Sequence, residues 1–444
     1  MARRKRRGPI RKRIGRVTLY SHHGSWWIYY RESGKPQRRK AADELAEAER
    51  VAAQVNAQLT SDSPSLFSFT PVSIPELRRR FLAHHDGVLK SSVATIRRYR
   101  AATQHLDDFA CSGGTNPMAH GILPTEFATY LRRVEVSPNG HPHTAKRHLR
   151  DKGVQFILET CRAMYGYAAK QRHLPPYAGN PFGALPIDQL KIEDSKPISM
   201  FDEAAELAFF KAASAWALPI HFTLAKTGLR VGELTHLLIE DLDLRHRWLY
   251  VKNKHGLGWR IKTGTERQVP LLEEVTELLR SVIGDRQDGP VFLRPKYTVS
   301  GAERLNGSLA SLEQICRERV RESHDVSRAG FLRIAKGVWR DAGAIKSDAV
   351  RLSYMRISRS IGRPDATCPK SWRHGFATLL QDANVDPLVR QVTLGHHTTG
   401  QGLGMTAHYT HTRPETQRKQ IEEALRRWTA SLEFIVRHVQ GGAV

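Results

Sequence analysis

Residues 17–40 alternate apolar and polar positions in short, β-rich runs. Val17–Tyr20 and the aromatic stretch Trp26–Tyr30 read as strands. A turn follows at Glu32–Lys35, and then the basic run Arg38, Arg39, Lys40. Ala41–Leu59 holds strong helix formers and neither Gly nor Pro, which predicts a helix covering that small sheet. Thr60–Val72, rich in Ser, Thr and Pro, reads as a linker. From Ser73 to Phe182 the period lengthens to that of helices. Ser91 and Ser92 can cap one helix, in which Val93, Ile96, Tyr99 or Arg100, and Thr103 recur at helical spacing while Arg97 and Arg98 lie on another face. Thr144–Arg172 reads as a second long helix, basic at Lys146, Arg147 and Arg150, and closed by Pro175-Pro176 and Asn180-Pro181. The last region, Ile198–Val444, is helical to Lys226 and breaks at Thr227-Gly228. Three strands are expected next, Trp248–Lys252, Gly258–Ile261 and Arg267–Leu271, and the helical pattern then resumes. The expected parts are a basic arm with a small module over 1–60, a helical domain over 73–182, and a larger domain over 197–444.

Composition agrees with this division: 444 residues at roughly 100–200 per domain predict about three domains. A hydrophobic fraction of 40% and a charged fraction of 25% belong to a globular chain. The longest apolar stretch, Leu207–Leu224, is interrupted by Lys211 and His221, so no membrane span and no membrane partner is expected. The basic N-terminus lacks the apolar stretch of a secretion signal. Cys111, Cys161, Cys316 and Cys368 lie far apart without a CxxC pair, which reads as reduced thiols in a cytoplasmic setting. Charge changes the picture most. Lys and Arg total 69 against 44 acidic residues, a formal +25, and this excess points to a polyanion, nucleic acid first. Within residues 1–16 no acid interrupts the run that includes Arg4, Arg6 and Arg7, an expected DNA-binding arm. Arg38, Arg39, Arg97, Arg98, Lys146 and Arg147 are further candidates for DNA contact.

Several separated pieces of the last region are each unremarkable alone. Arg230 with Glu233 is ordinary as an exposed helix pair, Lys262 as a lysine beside a turn, and Tyr409 as a half-buried tyrosine. Their order changes the reading. Thr227-Gly228-Leu229-Arg230-Val231-Gly232-Glu233-Leu234 resembles the first arginine box of the tyrosine recombinases, the phage-integrase family. Lys262 through Leu271 is similar to that family's β-hairpin lysine segment. Trp372 through Leu380 resembles its second arginine box, and Leu394-Gly395-His396 the motif after it. Thr406 through His411 resembles the nucleophile segment. Upstream the resemblance is looser. Tyr167 to Phe182 is similar to the end of a helical core-binding domain, and the N-terminal sheet and helix resemble an arm-binding module.

The resemblance implies a multidomain fold, mainly α with small antiparallel β-sheets: an arm-binding sheet-plus-helix module, a helical, SAM-like core-binding domain and an α+β catalytic domain. It implies site-specific recombination through a 3′-phosphotyrosine and a Holliday junction, without metal, ATP or other cofactor. Tyr409 would attack, since a phenol can hold the phosphoryl group covalently and conserve the bond for rejoining. Arg230 and Arg373 would clamp the non-bridging oxygens, because a guanidinium matches phosphate bidentately and stays charged. Lys262 would protonate the departing 5′-oxygen, His396 would hydrogen-bond the phosphate, and Glu233 would support the site. Where the family usually has a His three residues before the second Arg, this chain has Lys370, which stabilises phosphate charge but is a poorer base than imidazole at neutral pH. The glycines between His396 and Tyr409 imply a loop able to move the tyrosine. The stretch 295–350 is unexpectedly long and basic. Ile421, Leu425, Trp428 and Leu432 recur at helical spacing and are expected to form a terminal helix docking onto a neighbouring protomer.

The implied partners are double-stranded DNA with specific sites, further copies of the chain (a tetramer on DNA, a monomer when free), and an accessory DNA-bending or directionality factor. The implied setting is the nucleoid of a bacterial cytoplasm. His396, His397, His408 and His411 have no carboxylate or Cys at ligand spacing, so no metal site is expected. Two rival readings remain: a type IB topoisomerase, against which the arm module argues, and a DNA-binding protein without catalysis.

Overall fold

The computed structural model describes the chain except residues 1–9, 113–117, 139–142, 195–196, 300–301, 326, 397–411 and 442–444. It divides into two compact units, residues 1–196 and 197–444. The architecture is mainly helical, with small antiparallel sheets.

The first unit opens with a four-stranded antiparallel meander, β1 (Arg11–Ile14), β2 (Val17–His22), β3 (Ser25–Glu32) and β4 (Lys35–Ala42). Its hairpins turn at His23-Gly24 and Ser33-Gly34, each with positive φ at both residues, the twist that two-residue hairpins prefer. Val17, Leu19, Ile28 and Tyr30 point to one face and are buried against Ala48, Ala52, Val55 and Leu59 of α1 (Leu45–Thr60). The basic tract is thus not wholly an arm: Arg11–Ile14 is an edge strand whose backbone pairs with β2. The linker is also tied down. Ser65 is fully buried, hydrogen-bonded to Glu32 and Tyr30, and Leu66 and Phe67 pack on the sheet's core.

The rest of this unit is α2 (Ile74–Ala83), α3 (Val93–Ser112), α4 (Pro124–Arg133), the paired β5 (Glu135–Val136) and β6 (Arg147–His148), and α5 (Asp151–Lys170). Leu77, Phe81, Leu106, Phe127, Leu131, Leu158, Met164 and Phe182 form its core. Helix α5 begins seven residues later than the expected Thr144, at Asp151. Residues 144–150 carry no apolar stripe, and Arg147 pairs with Val136 instead. The Asp151 carboxylate then organises the helix start, accepting from the Glu193 and Asp194 N–H groups and from Arg132.

The second unit runs α6 (Glu203–Ala212), α7 (Ala217–Thr227), α8 (Val231–Leu234), β7 (Leu242–Asp243), β8 (Trp248–Val251), β9 (Arg267–Pro270) and α9 (Glu273–Ile283). It continues with α10 (Pro295–Val299), α11 (Leu309–Glu322), α12 (Arg328–Asp341), α13 (Ser347–Ser360), α14 (Lys370–Asp382), α15 (Pro387–Leu394), α16 (Pro414–Leu425) and α17 (Thr429–Gln440). Strands β7-β8-β9 form an antiparallel sheet. Helix α7 is buried on all sides, and α14 lies against it with Trp372, Phe376 and Leu380 in the common core. Gly258–Ile261 is not the strand its sequence predicts. Gly258 has φ +64, and Ile261 donates its N–H to the Asn253 side chain at 2.9 Å, so the segment folds back as a compact loop. The terminal apolar stripe is likewise corrected. The chain breaks at Arg426–Trp428 into two helices, and Ile421, Leu425, Leu432 and Ile435 lie in this unit's own core. Ser431 donates to Glu206, the carboxylate that also accepts from buried Lys226, so α17 is fastened to α6 and α7 rather than offered as an apolar face.

Candidate active site

Helix α7 ends at Gly228, whose φ of +63 and contact with the Phe376 ring leave no room for a side chain. That tight turn sets Arg230 at the start of α8, where Glu233 accepts from the Arg230 N–H at 2.9 Å and from its Nη1 at 2.7 Å. Glu233 is 4% exposed and is held from the other side by Arg267 of β9, Nη2 to Oε2 at 2.7 Å and Nη1 to Oε1 at 3.1 Å. Burial works to raise the Glu233 carboxyl, but the two guanidiniums prevail and hold it below the ordinary carboxylate value. Arg267 in turn donates its Nε to the Thr393 carbonyl at 2.8 Å, joining the first arginine turn to the end of α15.

The second arginine converges on the same place. Arg373, one turn into α14 and 9% exposed, donates Nη1 to the Gly228 carbonyl at 2.7 Å and Nη2 to the Leu394 carbonyl. Burial, and then the charge of Arg230, lowers its pKa to about 10, which still leaves it protonated at neutral pH. Helix α15 closes on Gly395 (φ +64), where a Cβ would lie 2.9 Å from the Arg267 side chain. The next residue, His396, stands with Nε2 3.2 Å from Arg373 Nη2. Burial and the charges of Arg373, Arg230 and Arg267 lower the His396 pKa, so the ring is neutral near pH 7. A neutral imidazole accepting at Nε2 carries its proton on Nδ1. The result is a cationic recess: two arginines and a histidine donor on one anionic support. It suits a phosphate oxyanion.

Sequence-predicted residues thus fall into groups. Arg230 with Glu233 and Arg373 with His396 form two hydrogen-bonded pairs, brought together by Arg267 and by the carbonyls of Gly228, Thr393 and Leu394. Lys262 is exposed in the loop before β9, anchored through Asn253, which bonds Gly264 and Glu266. It makes no hydrogen bond to any described residue. Lys370 is exposed at the first position of α14, on the helical face of Arg373. Its charge, after burial, lowers the pKa of His374, whose buried Nε2 has no partner among the described residues. Tyr409 lies outside the described residues, as do Arg4, Arg6, Arg7, His397, His408 and His411. In the first unit Arg38 and Arg39 are exposed on β4, Arg97 and Arg98 on α3, and Lys146 and Arg147 at β6. Arg267 is the residue that sequence reasoning missed. Its signal was present: along β9 it shares the inward parity of Val269, and an arginine there requires a buried carboxylate.

Residues 199–416 match the model of the phage integrase family. Over 241 residues the chain is 24% identical to the transposase of transposon Tn916 from Enterococcus faecalis, and equally to that of Tn1545 from Streptococcus pneumoniae. These matches take in 49% of this chain and 50% of each relative, so the chain spans about half the length of the curated relatives it matches. Among solved structures, a Tn1549 transposon integrase in complex with a circular intermediate DNA has a TM-score of 0.50 at 18% identity, covering 79% of this chain and 99% of that chain. At that identity the likeness is one of fold.

Proposed function

We propose that the chain, whose residues 199–416 match the phage integrase family, is a member of that family and performs site-specific DNA recombination by tyrosine catalysis. The observation that carries this reading is the convergence of Arg230, Arg373 and neutral His396 on the Glu233–Arg267 support. In this mechanism the scissile phosphate sits in the recess, and both guanidiniums take its non-bridging oxygens. Their positions are set before the substrate arrives, by Glu233 for Arg230 and by the Gly228 and Leu394 carbonyls for Arg373. Preorganised donors of this kind are each worth roughly 3–4 kcal/mol of barrier. His396 adds its Nδ1–H. The Tyr409 oxygen attacks phosphorus and gives up its proton to solvent water, and the P–O5′ bond breaks. Lys262 supplies the proton that the 5′-oxygen takes up, for which an exposed ammonium on a loop is suited. Lys370, one turn before Arg373, adds positive charge on the same helical face. Rejoining reverses these steps with a 5′-hydroxyl from the partner duplex.

The same reading gives the N-terminal sheet a role as an arm-site module. Cross-strand register lines up Arg11, Tyr20, Trp27 and Lys40, and beside them Arg13, Thr18, Tyr29 and Arg38, on the face away from α1. Arg38 lies over the Tyr20 ring at 5.3 Å and the Trp27 ring at 5.7 Å, which fixes its guanidinium on the exposed aromatic face of the sheet. Phosphate contacts and groove contacts are both within the means of such a face. The helical domain, with exposed Arg97, Arg98, Lys146 and Arg147, would bring its own phosphate contacts to the core DNA. The proposal extends to a tetramer exchanging strands through a Holliday junction, to an accessory DNA-bending or directionality factor, and to action at the bacterial nucleoid.

The test needs no known recognition site. Wild type and Tyr409→Phe are incubated with random-sequence duplexes carrying suicide nicks, and covalent protein–DNA adducts are trapped and sequenced. Adducts with wild type alone, clustered on a shared sequence, are expected. Adducts that persist in Tyr409→Phe would remove Tyr409 as nucleophile, and no adduct despite salt-sensitive binding would favour a binding protein without catalysis.

A further inference from the structure

A cavity of about 620 Å³ lies beside the Lys262 loop, between the end of α8, the His255–Leu257 turn, helix α12 and the start of α13. Its floor is aromatic and well fixed. The His236 ring stacks on Trp259 at 5.1 Å and meets Trp339 edge-on at 4.8 Å, and Trp339 Nε1 donates to the Leu257 carbonyl at 3.1 Å. Gly258 sits so close to α12 that an added Cβ would come within 2.7 Å of Leu332. The cavity is therefore preformed. It lies in the long basic stretch whose role the recombination chemistry leaves open.

Its rim is strongly cationic: Arg294, Arg333, Lys336, Arg340 and Lys346 against Asp348. His236 adds no charge, because burial brings its pKa down to about 4. Another cavity of the unit, about 710 Å³ between β8 and α16, instead balances Asp243, Glu415, Glu422 and Glu423 against Arg418, Lys419 and Arg426. Three of the rim arginines are already engaged, Arg294 with the Ala344 carbonyl, Arg333 with Asp325 and Arg340 with Asp341. Lys336 and Lys346 are exposed and have no hydrogen bond or ion pair with any described residue.

Position then selects the anion. Trp259 in the floor precedes Lys262 by three residues, a span of at most about 11 Å of chain. His236 follows Glu233 by the same interval on the other side. Duplex DNA advances about 3.4 Å per nucleotide, so a duplex whose scissile phosphate is held at Arg230 and Arg373 extends well past these short chain intervals on both sides of the recess. We propose that the cavity is a phosphodiester subsite, in which Lys336 and Lys346 hold backbone phosphates of the bound DNA flanking the cleavage position. The proposal rests on the recombination reading and adds a contact outside the catalytic boxes. Its consequence is mechanical as well as electrostatic: a strand seated there bears on the turn from which the Lys262 loop departs.

The test is the salt dependence of binding of the full chain to a fluorescein-labelled random-sequence duplex, read by anisotropy from low to high KCl. Each phosphate contact removed lowers the slope of log K against log salt by about 0.9, so Lys336→Ala with Lys346→Ala should lower it by about 1.8. The pair Lys336→Arg with Lys346→Arg should keep the wild-type slope. Lys211→Ala with Lys419→Ala, which removes the same charge elsewhere on the unit, should change it by less than half as much. Equal losses in the site and control pairs, or an unchanged slope in the site pair, would overturn the subsite. A flat slope in wild type would instead refute the DNA reading itself. Inorganic triphosphate serves as the probe for a free anion. A thermal shift with triphosphate that Lys336→Ala and Lys346→Ala abolish, without any change in the DNA slopes, would assign the site to a small anion and overturn the assignment to DNA.

Discussion

Replacing Arg267 by Met removes the residue that no motif reveals and that couples both halves of the cluster. Glu233 and Arg267 are each 3% exposed in their side chains, so the carboxylate that remains cannot be rescued by water. Removing one member of a buried pair costs about 3–5 kcal/mol. Arg230 still bonds Glu233, and its 24% side-chain exposure moderates the loss. The Thr393 carbonyl, which loses its donor, adds about 1 kcal/mol or more. The balance is a destabilisation of about 3–4 kcal/mol, which for a unit of this size lowers the melting temperature by roughly 6–16 °C. Adding Glu233→Leu removes the uncompensated charge, so the double variant should be more stable than Arg267→Met alone, although Arg230 loses its cap. Calorimetry of both single variants and the double variant measures this. The pH dependence carries the same sign. Glu233 in wild type titrates below its ordinary 4.5, so its contribution is present above that value and lost as pH falls through the lower folded value. The gap between wild type and Arg267→Met should therefore be widest above pH 5 and close in acid. Covalent adduct formation should fall about 10–100-fold because Glu233, and with it Arg230, is no longer braced by Arg267. A variant melting within 2 °C of wild type, or single effects that simply add, would refute the reasoning.

Other consequences are open to separate measurement. Gly258→Ala forces a Cβ into φ +64 and to within 2.7 Å of Leu332, costing about 2–4 kcal/mol in a thermal melt. If the displaced turn misplaces Lys262, its adduct yield should recover on a substrate with sulfur in place of the 5′-bridging oxygen, a leaving group that needs no proton. Lys262→Ala should recover in the same way, and recovery in neither would remove Lys262 as the proton donor. Buried His221 and His236 are depressed to about 3 and about 4, so both stay neutral in the folded chain while the unfolded chain protonates near 6.5. Their cost to stability is absent above pH 6.5 and grows as pH falls, reaching together about 4 kcal/mol at pH 5. Urea melts from pH 7 to 5 should show that slope, and His236→Gln should remove about half of it. Arg38→Ala, at an exposed position over Tyr20 and Trp27, should leave the melt within about 0.5 kcal/mol of wild type and lower the DNA salt slope by about 0.9. An unchanged slope would take Arg38 out of the DNA-binding face.

What was legible in the chain follows the range of the interactions involved. The meander and its covering helix could be read because alternation and glycine turns are local properties, and Val17, Leu19, Ile28 and Tyr30 do share one buried face. The arginine boxes could be read because the chemistry demands fixed residue types at fixed offsets from helix ends. Gly228 and Gly395 show why those offsets hold: the Phe376 ring and the Arg267 side chain lie where a Cβ would be. Local pattern failed wherever a distant partner decided. Arg11–Ile14 looks like a free basic arm until β2 supplies its hydrogen bonds. Gly258–Ile261 has strand residues, yet Asn253 and the wall of α12 bend it into a loop.

The terminal stripe is the sharper case, because its period was correctly read and its partner was not. Ile421, Leu425 and Leu432 demand an apolar surface, and nothing in a periodicity says whether that surface belongs to the same chain or to another. The buried Glu206 decides it. A carboxylate that accepts from both Lys226 and Ser431 would be stranded in the core if α17 left for a neighbouring protomer. In the proposed assembly, contacts between copies would then be sought first on charged surfaces rather than on the apolar stripe. Glu415, Glu422 and Glu423 on α16, beside Arg418, Lys419 and Arg426, offer paired charges of both signs around a cavity of about 710 Å³. Charged rims set register and partner choice more than affinity. An assembly built on such a surface would be weak in free solution and would depend on DNA to bring the copies together.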